Sequence, residues 1–205
     1  MSLSVILTAF ILIVPVELPD KTFVATLVLA TRYRPLAVWV GVGLAFAVQT
    51  VVAVTLGRVV AELPRRPVTA FAAAMFLLGA IVLLRGARQA DQEEAETEAE
   101  FAGKCKPGVT GLRAVTTSFV ILFVAEWGDL SQLLTAGLVV RSGHPISVFV
   151  GAWAGLLLVS GIGAVAGRWL LGRVRLATVR RVGGGVCLVL AVITALQAAG
   201  VDLGV

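Results

Sequence analysis

Charged residues are scarce in this chain of 205 residues. Only 14% of its positions are Asp, Glu, Lys or Arg, whereas a typical soluble domain has about 25%. Hydrophobic residues make up 59% of the chain, and the mean hydropathy is +0.99. These values exclude a soluble enzyme, a secreted disulfide scaffold and a disordered tail, and they predict an integral membrane protein.

Cysteine is also scarce, because Cys105 and Cys187 are the only two in the sequence. Two cysteines cannot build a disulfide framework. The net charge of +5 would suit a nucleic-acid partner in a soluble protein. In a membrane protein it indicates Lys and Arg in cytoplasmic loops, so we expect no nucleic-acid partner. The N-terminal segment lacks the basic region of a signal peptide, and we expect none.

The apolar segments predict six membrane spans, since a helix needs about 20 residues to cross the hydrocarbon core. Four segments of roughly that length carry no charge: Leu36–Gly57, Val68–Leu84, Pro145–Gly167 and Val182–Val201. Two further segments, Ser4–Thr31 and Ala114–Val140, are long enough but carry acidic residues near their midpoints. We therefore predict an all-α membrane protein with six transmembrane helices.

The segment between Arg85 and Arg113 breaks the apolar pattern, with six acidic residues from Asp91 to Glu100. We expect a solvated, partly helical linker; a cation-collecting or regulatory loop is the alternative. Most Lys and Arg residues fall in loops on the same side as this linker. The excess of positive charge predicts a cytoplasmic linker and N- and C-termini outside. The richness in Ala, Val, Gly and Arg is typical of a GC-rich bacterium, so we expect the inner (cytoplasmic) membrane of a bacterial cell.

The chain contains an internal repeat, because ELPDKT from Glu17 resembles EWGDLS from Glu126. The aligned pairs are Glu17 with Glu126, Asp20 with Asp129, Thr22 with Ser131, Thr26 with Thr135, Arg32 with Arg141 and, after one inserted residue, Pro35 with Pro145 and Gly41 with Gly151. Each copy holds three spans, and an odd number forces the second copy to enter the membrane inverted. We predict repeats at 1–86 and 113–205, joined by the acidic linker at 87–112.

Four carboxylates lie near the middle of the two interrupted spans. Each costs at least about 2.5–3.5 kcal/mol at the bilayer centre. Glu17 and Asp20 are spaced i, i+3, as are Glu126 and Asp129, so each pair shares a face of a continuous helix. Oxygen-rich acidic sites suit hard divalent cations, and the absence of nearby His or Cys argues against Zn²⁺ or Cu⁺. These four residues are therefore the predicted metal ligands.

Such a cluster also binds protons, because burial and mutual repulsion favour the protonated carboxyl group. An empty site would hold protons and a divalent cation would displace them. The chemistry thus predicts exchange of a divalent cation for H⁺, with Na⁺ as an alternative counter-ion.

Several neighbours are further candidates. Thr22 reaches the site only if its helix is distorted, and Pro19 supplies a reason, because it removes a backbone hydrogen bond and frees the Pro15 carbonyl. Gly128 permits a similar deformation in the second copy. The additional candidates are Pro15, Lys21, Gln49 and Gln132. Lys21 either pairs with a carboxylate or substitutes for a cation in the empty site, and Gln49 either lines the path or makes an interhelical hydrogen bond.

The segments ELPDKT and EWGDLS resemble the duplicated Glu-x-Gly-Asp-(Lys/Arg)-(Ser/Thr) motif. It marks the Golgi, chloroplast and bacterial Mn²⁺/Ca²⁺ transporter family, within the cation/Ca²⁺ exchanger group. The resemblance implies export of Mn²⁺ or Ca²⁺ from the cytosol coupled to H⁺ entry, with the ions as substrates and no cofactor. The cation-binding residues that it implies are Glu17, Asp20, Thr22, Glu126, Asp129 and Ser131. The chain departs from the motif at Pro19 and Leu130.

Other classes of protein explain the pattern less well. An intramembrane aspartyl protease needs two aspartates that share a proton, but here each Asp comes with a Glu, so we expect no enzyme and no catalytic residues. An exporter of a small organic solute, such as an amino acid, is the alternative function. A structural scaffold would not need two matched acidic clusters. The sequence leaves the oligomeric state open, a homodimer included.

Overall fold

The computed structural model describes residues 1–18, 21–62, 64–87, 90–105, 108–171 and 176–199. Within these ranges the helices are α1 (Leu3–Glu17), α2 (Lys21–Arg32), α3 (Pro35–Ala61), α4 (Arg65–Gly86), α5 (Ala90–Lys104), α6 (Leu112–Ala125), α7 (Leu130–Ser142), α8 (Pro145–Leu171) and α9 (Leu176–Ala198). Both α3 and α8 begin at a proline, whose fixed φ suits the first helical turn.

The described helices include four that are long and apolar enough to cross a membrane. They are Pro35–Ala61, Thr69–Gly86, Pro145–Val165 and Arg181–Ala198. The pairs α1–α2 and α6–α7 also pass this test, but they are bent by 70° and 73°. Six spans result if each bent pair counts as one. The prediction of an all-α membrane protein is confirmed.

The outer surface of the bundle is apolar along the long helices. Val40, Leu44 and Val51 on α3 are exposed, as are Leu78 and Val82 on α4. Contiguous exposed side chains of this kind are rare on soluble monomers. On a membrane protein they are the surface that lipid tails cover.

The second interrupted span is broken by a short non-helical turn. Helix α6 ends at Ala125, and α7 begins at Leu130 with Asp129 as its N-cap. Between them Gly128 has a φ of +81°, a conformation that favours glycine. The prediction that Glu126 and Asp129 share a face of a continuous helix is wrong, because these residues lie on either side of a turn. In the first span, Pro19 and Asp20 lie outside the described residues.

The broken span of each sequence repeat packs on the first long helix of the other repeat. Helix α1 packs on α8 as α6 packs on α3, and α2 packs on α8 as α7 packs on α3. The long helices α3 and α8 contact each other, and so do α4 and α9. Two buried apolar clusters result. One joins α2, α3, α6 and α8 and also includes Ile13 of α1 and Phe101 of α5. The other joins α1, α4, α7 and α9 and also includes Val148 of α8.

Glycines allow the closest of these contacts. A Cβ atom added to Gly41 would collide with the Val115 carbonyl oxygen of α6, and one added to Gly151 would collide with the Ile6 carbonyl oxygen of α1. A Cβ atom added to Gly155, one turn after Gly151, would lie 3.4 Å from the Phe10 carbonyl oxygen, so Gly155 also packs on α1. The Gly151-x-x-x-Gly155 pattern is therefore a helix-packing face.

The acidic linker is more ordered than the sequence predicts. Residues 90–104 form α5, which packs on α2 and also contacts α9. Phe101 is only 2% exposed and belongs to the cluster that contains Val24, Val28 and Tyr33. The expectation of a solvated linker is wrong for this face of α5, because an aromatic residue directly after the acidic run anchors the helix to α2.

Candidate cation site

The two glutamates of the repeated motif lie at equivalent breaks in the membrane helices. Glu17 is the last residue of α1 and is 1% exposed. Glu126 follows the last residue of α6 and is 4% exposed. Carboxylates are rarely buried to this extent without a charged or hydrogen-bonding partner. Their matched burial at matched positions marks the breaks as the candidate site.

The ends of α1 and α6 also favour a positive ion electrostatically. The C-terminus of a helix has unsatisfied carbonyl groups and carries the equivalent of about half a negative charge. Glu17 and Glu126 add a carboxylate at each of these two ends. A cation between the ends would therefore be attracted by carboxylates, carbonyls and helix dipoles together, as in transporters with discontinuous helices.

Two hydroxyl groups lie just beyond the breaks, in the first turns of α2 and α7. Thr22 and Ser131 are both buried. Among the described residues, the Thr22 hydroxyl has no hydrogen-bond partner. A buried hydroxyl without a partner is costly, so its oxygen is available to a bound ion or a bound water.

Asp129 and Gln132 shape the turn after Glu126. The Asp129 carboxylate accepts a hydrogen bond from the Ser131 backbone N–H at 3.2 Å and so caps α7. The Gln132 side-chain amide donates to the Glu126 carbonyl oxygen at 2.6 Å and accepts from the Gly128 N–H at 3.3 Å. Capping uses one Asp129 oxygen and leaves the half-buried carboxylate with further acceptor capacity.

Gln49 reaches the same region from α3. It is buried at mid-helix, and its side-chain amide donates to the Phe123 carbonyl oxygen of α6 at 3.1 Å. The structure therefore contains the interhelical hydrogen bond that was one of the two interpretations of this residue.

The other two candidates, Lys21 and Pro15, make different contacts. Lys21 begins α2 and is exposed. Lys104 lowers the pKa of Glu100 on α5, chiefly through a hydrogen bond, and the positive charge of Lys21 adds to that effect. Lys21 thus lies within electrostatic range of the acidic helix.

The Pro15 carbonyl oxygen faces α9, where a Cβ added to Gly183 would lie 2.8 Å from it.

Leu130 replaces the basic residue of the motif. A Cβ atom added to Gly79 of α4 would lie 3.3 Å from the Leu130 Cδ1 atom, so Leu130 packs against α4. Leu130 borders the apolar cluster that includes Phe76 and Leu134. An apolar residue suits this position better than a charged one.

The structure brings the two broken spans side by side. Val16 of α1 shares a cluster with Leu134 of α7, and Leu122 of α6 shares one with Val24 of α2. Within the described ranges, which leave out Asp20, no three His, Cys, Asp or Glu side chains are close enough to hold a metal ion. The meeting of all four carboxylates therefore stays a prediction.

Two buried hydroxyl residues near the breaks were not among the predicted site residues. Thr26 and Thr135 lie one turn after Thr22 and Ser131 and are buried, and Thr26 donates to the Thr22 carbonyl oxygen at 2.7 Å. Their match at the same offset of the repeat was the available signal.

Six candidate spans, two of them broken beside buried carboxylates, define a multi-pass membrane protein with the features of a secondary transporter. Comparison with known families matches residues 5–91 and 114–202 to the family described as "Divalent cation/proton antiporter GDT1". The chain belongs to this family. Its members are transporters and not enzymes, and the cation and proton are transported substrates, with no cofactor expected.

Individual relatives agree with the family. The chain is 37% identical over 191 residues to GDT1-like protein sll0615 of Synechocystis, covering 87% of this chain and 92% of that protein. It is 35% identical over 210 residues to protein PAM71 of Arabidopsis thaliana chloroplasts, covering 91% of this chain and 55% of that protein. The chain thus spans little more than half the length of the chloroplast relative. No solved structure matches it.

Proposed function

We propose that this divalent cation/proton antiporter exports Mn²⁺, Ca²⁺ or both from the cytosol in exchange for protons. The observation that carries the proposal is the burial of Glu17 and Glu126 at the C-terminal ends of two half-helices. Hard oxygen ligands at such ends suit a divalent cation. They do not suit the carboxylate of an amino acid, which would favour helix N-termini and basic residues.

The proposed ligands come from both copies of the motif. Glu17, Asp20, Glu126 and Asp129 supply carboxylate oxygens, and Thr22 and Ser131 supply hydroxyl oxygens. The unpartnered hydroxyl of Thr22 and the remaining acceptor capacity of Asp129 support this assignment. When the cation leaves, the carboxylates take up protons, because negative charge is costly inside the membrane. One site then serves both ions in turn, which couples the two fluxes.

Alternating access follows from the repeat. We propose that residues 1–86 and 113–205 are inverted copies that exchange conformations about the shared site, with 87–112 as the cytoplasmic connection. The exchanged packing of α1 on α8 and α6 on α3 supports this arrangement. The distribution of Lys and Arg supports termini outside, and the richness in Ala, Val, Gly and Arg supports an inner-membrane location in a bacterial cell. A homodimer stays a hypothesis.

Flux in proteoliposomes tests the ion and its coupling. Purified protein is reconstituted with a pH dye inside, and Mn²⁺, Ca²⁺ and Mg²⁺ are added outside in separate experiments, with and without Na⁺. We expect Mn²⁺ or Ca²⁺ to enter while protons leave, independently of Na⁺. Uptake that requires Na⁺ would contradict proton coupling. The absence of divalent flux under every gradient would contradict the cation proposal, and a screen of organic solutes would follow.

A further inference from the structure

The turn that carries Glu126 and Asp129 is held by two glutamine side chains from different helices. Where α6 ends, the backbone can no longer form all of its helical hydrogen bonds. Gln49 of α3 donates to the Phe123 carbonyl oxygen in the last turn of α6, at 3.1 Å. Gln132 of α7 donates to the Glu126 carbonyl oxygen at 2.6 Å. Each amide therefore supplies a donor to a carbonyl group at the break.

Gln132 uses both ends of its amide. While its nitrogen donates to Glu126, its oxygen accepts from the Gly128 N–H at 3.3 Å. Turning the amide over would place oxygen against oxygen and N–H against N–H, so the two contacts fix its orientation. The side chain therefore links both Glu126 and Gly128 to the first turn of α7.

The two glutamines are not repeated at the equivalent positions of the other half. At the repeat offsets, Phe23 stands where the second half has Gln132, and Val159 stands where the first half has Gln49. Neither can donate a side-chain hydrogen bond. The motif carboxylates are therefore repeated in the sequence, but this pair of glutamines is not.

We propose that Gln49 and Gln132 are positioning residues for the second carboxylate pair and do not coordinate the cation. They hold the turn so that Glu126 and Asp129 present their oxygens to the ion in a fixed geometry. This inference rests on the proposed function, because the positioned groups are its cation ligands. Small displacements of such groups are expensive: a shift of about 1 Å lowers rates by up to about 100-fold in enzymes.

Substitutions at residue 132 separate positioning from coordination. Gln132→Met keeps the length of the side chain but removes both hydrogen bonds. Gln132→Glu keeps an oxygen and adds a charge, but places it against the Glu126 carbonyl oxygen. A coordinating residue would tolerate Glu, with an unchanged or lower KM for the cation. A positioning residue tolerates neither Met nor Glu. Both variants should therefore raise the KM for the cation and lower maximal flux at least about tenfold. Gln49→Met should act in the same direction.

Thr55→Val is the matched control on α3, because the exposed Thr55 hydroxyl bonds only within its own helix, to the Val51 carbonyl oxygen at 2.7 Å. Its flux should equal that of the unmodified protein. Hydrogen–deuterium exchange without any divalent cation gives a readout independent of transport. Peptides spanning 123–132 should exchange faster in Gln132→Met and Gln49→Met than in the unmodified protein and in Thr55→Val.

The outcomes are distinguishable. Normal flux and a lower KM in Gln132→Glu would overturn the positioning role in favour of coordination. Unchanged exchange in the two Met variants would overturn it as well. If the unmodified protein moves no divalent cation, the proposed function fails, while faster exchange in the Met variants would still support the clamp.

Discussion

Gly41 and Gly151 stand in the same position of the two repeats and make the same contact. Each lies against a backbone carbonyl oxygen of the opposite half, Gly41 against Val115 and Gly151 against Ile6. The contacted residues also match at the repeat offset. The first long helix of each half therefore packs equally tightly on the first helix of the broken span in the other half.

This contact predicts that both glycines are needed for stability. Gly41→Ala and Gly151→Ala would each push a methyl group into a backbone carbonyl, and overpacking of this kind costs about 1–3 kcal/mol. Thermal unfolding in detergent should show a lower midpoint for both variants. Gly185→Ala is the control, because its added Cβ would meet nothing within 4 Å, and alanine favours the helix by up to about 1 kcal/mol. An unchanged midpoint in Gly151→Ala would contradict the close packing.

Thr22 should affect ion binding without stabilising the fold. Thr22→Val removes a buried hydroxyl that has no partner among the described residues, so stability should be unchanged or higher. The KM for the cation should rise about tenfold, equivalent to about 1.4 kcal/mol. Thr26→Val, which removes the hydrogen bond to the Thr22 carbonyl oxygen, should instead lower stability by about 1 kcal/mol. An unchanged KM in Thr22→Val would remove this hydroxyl from the proposed ligands.

The packing of α5 on α2 should slow the reaction of the Cys105 thiol with maleimide. Burial raises the pKa of the Cys105 thiol, opposed by the positive charge of Arg32 and a hydrogen bond with Tyr33. Phe101→Ala should release α5, return that pKa toward its usual value and increase the thiolate fraction at neutral pH. Maleimide labelling in a Cys187→Ser background should then be several-fold faster. Because the raised pKa belongs to the docked state, docking should also weaken as the pH rises through the usual range of a thiol.

Phe71→Ala is the matched control for this labelling, since Phe71 is an exposed phenylalanine on α4. It should leave the labelling rate of Cys105 unchanged. Equal rates in Phe101→Ala and the unmodified protein would show that Phe101 does not hold α5 in place.

Hydropathy predicted the spans well, because a segment such as Leu36–Gly57 has no other environment in which to bury its side chains. The helix breaks were harder to place. Pro19 and Gly128 marked where a distortion was permitted, but the i, i+3 spacing of Glu126 and Asp129 was interpreted as one helix face. That interpretation fails because spacing defines a face only while the helix continues.

Long-range contacts were not predicted from the sequence for a different reason. Phe101 directly follows a run of acidic residues, so local composition indicated solvent exposure, although one buried aromatic residue is enough to anchor a short helix. The role of Gln132 depends on a turn whose shape the sequence does not specify. For the site itself, the matched positions of Glu17 and Glu126 were visible in the repeat, and both are buried. Their role as cation ligands stays a prediction.

The most direct test of the account is the coupled flux of divalent cations and protons in Glu17→Gln and Glu126→Gln. Each variant keeps the shape of the side chain and removes the charge at one helix end. Glu62→Gln, at an exposed position after α3, is the control. We expect both buried-site variants to lose divalent uptake and proton release together, by at least about 100-fold, while Glu62→Gln retains both. Normal coupled flux in either buried-site variant would contradict a cation site at the two helix breaks.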